Sequence, residues 1–249
     1  MRIDKERQSR RDTIAAYCRR FSFSQTAVTL CETAPAAQEQ FLLTVFASEM
    51  ASRDRNRRAR LVARAGFPAV KTLQGFERRD IQLPSTLSWE ALEAGEFIEA
   101  RHNLVLYGPV GTGKTHMATA LGWQACERGR IVRFFTVTDL VVRLSEAQRA
   151  GTLERLLKDL QRAELLILDE FGYVPLDRTG AQLLFRIIAD SYEARSIIIT
   201  TNLEFSKWGS VFTDDQMAAA MIDRLAHHGQ LVVFVGESYR MQHALMKER

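Results

Sequence analysis

A chain of 249 residues, 46% apolar and 26% charged, has the composition of a globular protein large enough for one sizeable domain or a domain with a small appendage. This excludes a wholly disordered chain, a collagen-like fibre and a disulfide mini-protein, and no apolar run approaches the roughly 18 residues of a membrane span. The net charge of +4 is uneven: residues 1–79 carry 16 Lys/Arg against 8 Asp/Glu, while the remainder is acidic on balance. A basic block on a mildly acidic body fits either a nucleic-acid-binding appendage or a solvated helix face.

The first residues, MRIDKERQSRRD, are charged with no apolar stretch behind them, so no signal peptide is expected. Three cysteines (Cys18, Cys31, Cys126) without metal-ligand spacing suit a reducing, cytoplasmic setting. Within 37–50, Phe41, Leu42, Val45, Phe46 and Met50 share a helical stripe, which predicts an amphipathic helix running on through the arginine-rich stretch to about Ala65. Gly66-Phe67-Pro68 ends it. The expected organisation is a helical basic N-terminal domain over 1–70, a connector over 71–102 with a short helix near Trp89–Ala100, and a larger domain over 103–249.

From Asn103 the pattern changes to short apolar runs alternating with helical stretches. Strands are expected at Asn103–Tyr107, Ile131–Phe135, Leu165–Leu168, Ile197–Thr200 and Leu231–Val235. Helices are expected over about 114–127, 139–149, 152–162 and 178–193, with a last one opened by a capping box, Thr213-Asp-Asp-Gln216, and ending near His227. Strands that are almost purely apolar imply a parallel sheet covered on both faces, a doubly wound α/β domain with five strands.

Gly108, Pro109, Val110, Gly111, Thr112, Gly113, Lys114 and Thr115 match G-x-x-x-x-G-K-[ST] between a predicted strand and a predicted helix. The glycines let backbone N–H groups turn inward around phosphate oxygens, and the helix N-terminus adds its partial positive charge. Lys114 reaches the β- and γ-phosphates of a nucleotide, and the Thr115 hydroxyl ligates Mg²⁺. Leu165-Leu-Ile-Leu-Asp-Glu170 is an apolar strand ending in two carboxylates. Asp169 is placed to hold Mg²⁺ and Glu170 to act as general base on an attacking water. Asn202 follows the fourth strand, where it can orient that water or serve as a turn residue.

Arg224 and Arg240 are candidates for charge stabilisation at the γ-phosphate, with surface salt bridging as the alternative. His227-His228 suggests a metal, but neighbouring helical side chains diverge and no third ligand is suitably spaced, so zinc is not expected. Six arginines, Arg53, Arg55, Arg57, Arg58, Arg60 and Arg64, are the first choice for contact with a DNA backbone, and Arg143, Arg149 and Arg155 the second. The 41–50 apolar stripe competes as a docking site for a protein.

Gly108 to His116, Leu-Ile-Leu-Asp-Glu-Phe-Gly172, Thr201-Asn-Leu-Glu-Phe-Ser-Lys-Trp-Gly-Ser-Val-Phe212, Asp-Arg-Leu-Ala-His-His228 and Gly-Glu-Ser-Tyr-Arg240 together resemble the IstB family of insertion-sequence helper ATPases. Arg64 to Phe76 extends the likeness, which covers about residues 40–245. The resemblance implies a P-loop NTPase of the AAA+, ASCE type, bound to ATP and Mg²⁺, hydrolysing ATP with stimulation by DNA. It implies a bacterial protein that assembles on double-stranded DNA as an ATP-dependent homo-oligomer and assists the transposase of its own insertion sequence. The related helicase loader DnaC is the alternative. It places His116 in the nucleotide site, Asn202 at the first sensor, Arg224 as a finger into a neighbouring subunit's ATP, and Arg240 at a second sensor. Only about fourteen residues follow the fifth strand, too few for a full helical lid, so Phe76 in the connector is a candidate adenine contact. A small-molecule kinase would need a monomeric site with its own acceptor pocket, and the Asp169–Glu170 pair and Arg224 speak against it. A module that binds ATP without turnover is a further alternative, for which Glu170→Gln changes nothing, whereas a hydrolase loses turnover and keeps ATP binding.

Overall fold

The computed structural model describes residues 2–212 and 214–242. The chain divides into two compact units, residues 1–59 and 60–249, with the division inside one long helix.

The smaller unit comprises α1 (Arg2–Arg20), α2 (Gln25–Glu32) and the first part of α3 (Ala36–Ala65). Its core is Ile14, Cys18, Phe21, Phe46 and Met50. The predicted stripe on α3 therefore divides. Phe46 and Met50, one helical turn apart, face inward, whereas Phe41 is 68% and Val45 42% exposed. Burial pushes the Cys18 thiol up to about 11. Glu39 in the first turn of α3 is buried and accepts from Arg7, Arg10 and Arg11 of α1 at 3.0, 3.4 and 3.2 Å. Their guanidinium groups, Arg7 foremost, hold its carboxyl below the usual range against the opposing effect of burial.

The larger unit begins with the end of α3 and continues through β1 (Ile81–Gln82), α4 (Trp89–Ala94), α5 (Glu96–Glu99), β2 (Asn103–Tyr107), α6 (Lys114–Glu127), β3 (Val132–Thr136) and α7 (Val137–Arg149). There follow α8 (Leu153–Gln161), β4 (Leu165–Phe171), α9 (Arg178–Ser191), β5 (Ser196–Thr201), a 3-10 turn at Phe205–Lys207, α10 (Gly209–Phe212), α11 (Asp215–His227), β6 (Gly229–Phe234) and α12 (Tyr239–Gln242). The sheet runs β1-β6-β2-β5-β4-β3. All pairings among β2 to β6 are parallel.

The expected doubly wound α/β architecture is what forms, with one addition. A sixth strand, β1, pairs antiparallel with β6 through Ile81–Phe234 and Gln82–Val233. Two residues leave no hydrophobic run to read, so the connector gave no strand signal. Leu104–Leu106, Leu165–Leu168 and Ile197–Ile199 are at most 3% exposed, as strands covered on both faces must be. One face packs on α7, α8, α9 and α11 through Leu140, Leu160, Leu184 and Leu225. The other packs on α6 and on the chain before β2 through Met117, Leu121, Leu73 and Phe97.

Local signals shift three helix boundaries. Thr136 caps α7 by accepting from the Asp139 N–H, so the helix begins two residues before the expected 139. Gly95, in the left-handed region at φ 78°, splits the single helix expected near 89–100 into α4 and α5. Asp214 caps α11 by accepting from the Gln216 and Met217 N–H groups, while Thr213, expected to open a capping box there, lies outside the described residues.

Candidate functional site

The phosphate loop leaves the C-terminal end of β2 and enters α6, and Gly108 N–H donates to Thr201 O of the adjacent β5. Gly113 (φ 100°) is the N-cap of α6. Gly111 (φ 83°) faces Ser238: a Cβ there would lie 2.1 Å from Ser238 Oγ and 2.9 Å from its Cβ. Left-handed backbone at both positions and this close approach explain why glycine is required. Lys114, 6% exposed, donates from Nζ to Gly108 O at 2.7 Å and Pro109 O at 2.6 Å, so its ammonium sits within the loop. Thr112 Oγ1 donates to Pro109 O, and Val110 is half exposed at the loop tip.

Two other segments close on the loop. The Phe76 ring lies against Gly113 and tilts over the His116 ring at 5.0 Å, while His116 Nε2 is 2.8 Å from Thr72 O. His116 thus faces the connector. On the other side Tyr239 N–H donates to Gly111 O at 3.1 Å. These flanking contacts were invisible in the sequence, apart from the weak signal of an aromatic at 76.

Asp169 is 3% exposed at the end of β4. Thr115 Oγ1 donates to its Oδ1 at 2.9 Å, and Thr200 Oγ1 of β5 donates to the same oxygen. Sequence reasoning missed Thr200: its signal, a hydroxyl two residues before Asn202, is hidden at the end of an apolar run. Glu170 is exposed and non-glycine at φ 60°, a conformation costing about 1–2 kcal/mol. The cause lies in the register. Leu168 pairs with Ile199 and Phe171 with Thr201, so Asp169 and Glu170 together oppose Thr200 in a β-bulge. The bulge turns Glu170 out at the strand edge instead of into the sheet. One acidic side chain is therefore buried and hydroxyl-bonded and the other exposed, on adjacent residues. The hard oxygen donors Thr115 and Asp169 suit Mg²⁺, which takes one or two carboxylates and leaves its other positions to phosphates and water.

Asn202 is exposed and directly follows β5, the strand between β2 and β4. Arg224 on α11 lies elsewhere, its Cζ 5.3 Å from the centre of the Phe185 ring and Nη1 donating to Ala220 O. Among the described residues, neither a salt bridge nor a contact to its own phosphate loop engages it. Arg240 lies in α12, and its side chain is outside the described residues. The two histidines do not diverge as helical spacing would have them. His228 is the C-cap of α11 and leaves the helix, so the two rings meet at 4.2 Å with His227 Nδ1 3.0 Å from His228 Nε2. Among the described residues no group of three or more His, Cys, Asp or Glu is arranged to hold a metal ion.

Arg53, Arg55, Arg57, Arg58, Arg60 and Arg64 are all exposed on α3. Arg53 also bonds Glu49 at 2.7 Å and covers the Phe21 ring. In the larger unit, Arg143 and Arg155 line a cleft of about 520 Å³ with Glu146, Thr152 and Asp159, and Arg143 packs over Phe135. Among the described residues no helix is long and apolar enough to cross a membrane.

Known proteins sharpen this picture. The chain is 38% identical over 216 residues to a Sinorhizobium fredii protein named as an insertion-sequence ATP-binding protein, covering 86% of this chain and 72% of that one. It is 38% identical over 203 residues to the protein named for ATP binding in insertion sequence IS21 of Pseudomonas aeruginosa, covering 82% and 77%. Among solved structures it resembles AMPPCP-bound DnaA from Aquifex aeolicus (TM-score 0.56, 24% identity, 71% of this chain and 54% of that). It also resembles the DnaC helicase loader (TM-score 0.52, 24% identity, 66% and 96%). These likenesses show the P-loop AAA+ fold. In this chain β5 lies between β2, which leads into the phosphate loop, and β4, which carries Asp169 and Glu170. The family model described as IstB-like ATP binding protein matches residues 22–247, and the chain belongs to that family.

Proposed function

We propose that this protein is a Mg²⁺-dependent ATPase that assembles on double-stranded DNA as an ATP-dependent homo-oligomer and assists a transposase at its target site. The observation that carries the catalytic part is the convergence of the phosphate loop, the Asp169–Glu170 bulge and Asn202 on one edge of three adjacent strands. α/β sheets bind ligands at that edge. The loop N–H groups and Lys114 bind the phosphates; Thr115 and Asp169 hold Mg²⁺, which neutralises charge on the β- and γ-phosphates when bound. Glu170 draws a proton from the attacking water, and Asn202 orients it. Arg224, lodged on Phe185 away from its own phosphate loop, serves the ATP of a neighbouring subunit, and Arg240 the second-sensor position.

The insertion-sequence names of the relatives support the transposase as partner. The exposed arginine row of α3 supplies backbone contacts without base reading. Residues 1–70 then act as the DNA-binding portion, 71–102 as a connector closing on the nucleotide, and 103–249 as the motor with a truncated lid. The test is particle mass in solution with duplex DNA under ATP, ADP and no nucleotide. Growth into DNA-bound assemblies with ATP alone is expected; a monomer indifferent to both refutes the reading. Co-purification with a replicative helicase in place of a transposase would shift the partner to that of a helicase loader.

A further inference from the structure

Thr200 sits opposite the two-residue bulge of β4, 2% exposed, and its hydroxyl makes two different bonds there. It donates its proton to Asp169 Oδ1 and accepts the Glu170 N–H at 3.0 Å. In a regular ladder the backbone of β5 would satisfy β4; at a bulge one N–H is left without that partner. The Thr200 oxygen takes its place. Its neighbour Thr201 secures the next residue in the same manner, donating from Oγ1 to Phe171 O at 2.8 Å while accepting Leu203 N–H at 3.0 Å. Two hydroxyls therefore hold the bulge, and the one at 200 touches both acidic residues at once.

We propose that Thr200 is a positioning residue for ATP hydrolysis: by fixing the Asp169 carboxylate and the left-handed backbone of Glu170 together, it sets where the Glu170 carboxylate stands relative to the attacking water. The proposal rests on the reading of Glu170 as general base. A hydroxyl donates and accepts strongly through one atom, which is what the two bonds at this position use. Valine has the same branched shape and does neither, so Thr200→Val removes the two bonds with little change in volume. Without those bonds, Glu170 keeps its carboxylate but nothing from Thr200 holds its backbone at φ 60°. Asp169 Oδ1 retains Thr115 alone. Phosphate binding, which depends on the loop amides and Lys114, is untouched.

The experiment compares Thr200→Val, Thr200→Ser and Glu170→Gln. It reads kcat and KM for ATP, and affinity for a fluorescent ATP analogue with EDTA and with Mg²⁺. The expected result for Thr200→Val is a fall in kcat of about 10- to 100-fold, in the range of a mispositioned general base. Its affinity in EDTA stays within about twofold and the gain in affinity on adding Mg²⁺ shrinks. Thr200→Ser, which keeps the hydroxyl, restores kcat to within about threefold. A kcat for Thr200→Val within twofold of the parent, a failure of serine to restore turnover, or a parallel loss of nucleotide binding in EDTA would each overturn the proposal and leave Thr200 a packing residue. If the valine variant does not fold, Thr200→Cys takes its place with the same expectation, sulfur being a weak partner in a similar volume. Glu170→Gln separates the two levels. Its turnover unchanged beside a loss in Thr200→Val overturns the base assignment and this proposal with it. Its turnover lost beside an unchanged Thr200→Val overturns this proposal alone.

Discussion

Gly111→Ala probes the phosphate loop at the point where the chain after β6 presses on it. Alanine at φ 83° carries a left-handed penalty of about 1–2 kcal/mol. Its Cβ would also stand 2.1 Å from Ser238 Oγ, 2.9 Å from Ser238 Cβ and 3.3 Å from Ser238 Cα. The hydroxyl can rotate away, but Cβ and Cα cannot move unless the segment does, and Tyr239 N–H on Gly111 O ties it down. Overpacking of this kind costs about 1–3 kcal/mol, giving about 2–5 kcal/mol in total against the closed loop. If phosphate binding requires that geometry, ATP affinity falls by roughly 30- to 4,000-fold at 1.4 kcal/mol per tenfold. Titration with a fluorescent ATP analogue measures it, with the melting temperature as a check on folding. Adding Ser238→Gly relieves the overpacking and not the strained φ, so the double variant should retain a deficit of only about 5- to 30-fold. A single variant within threefold of the parent, or a double variant no better than the single, refutes the close packing of Ser238 on the loop.

Arg224→Ala should lower turnover by about 10³-fold or more while ATP binding persists. Mixing it with an Arg224-intact Lys114→Ala variant should restore part of the activity, because each supplies what the other lacks; no recovery would show that Arg224 does not act across subunits. Replacing Arg55, Arg57, Arg58 and Arg60 by alanine should reduce the slope of log affinity for duplex DNA against log salt by about 0.9 for each phosphate no longer neutralised, roughly 3–4 in all. An unchanged slope moves the DNA interface off α3. The depressed carboxyl of Glu39 stabilises the smaller unit fully above the ordinary glutamate range, and that contribution is lost as pH falls through its lowered folded-state value. Helical ellipticity of the parent and of Glu39→Gln, followed from pH 7 to pH 2, should therefore differ at neutral pH and converge in acid. A gap that stays constant with pH would show that the arginine cluster contributes nothing through ionisation.

Much of the fold was legible because buried parallel strands read as apolar runs: Asn103–Tyr107 matches β2 residue for residue, and the other four strands fall within a few residues. Strand order was not legible, since Leu165–Leu168 and Ile197–Ile199 carry no mark of which neighbour they join. The phosphate loop and the Asp169–Glu170 pair declared themselves through residue types. The bulge that separates their environments did not, because it arises from a register slip against Thr200 and no glycine signals it. Helical spacing predicts that His227 and His228 diverge, but the helix ends at the first of them. The amphipathic stripe of α3 is real but narrower than its residue types suggest: Phe46 and Met50 bury, and Phe41 belongs to the neighbouring exposed row.

The two-residue strand β1 has a mechanical consequence out of proportion to its length. The connector that carries Phe76 onto the phosphate loop and the segment that carries Ser238 onto it are joined: Ile81 pairs with Phe234, Val235 N–H donates to Asp80 O, and a Cβ on Gly236 would strike the Asp80 side chain. The loop is thus gripped by one collar fastened at its back. Moving the Phe76 side away from the loop therefore strains the Ile81–Phe234 pairing and the Val235–Asp80 hydrogen bond that hold the Ser238 side.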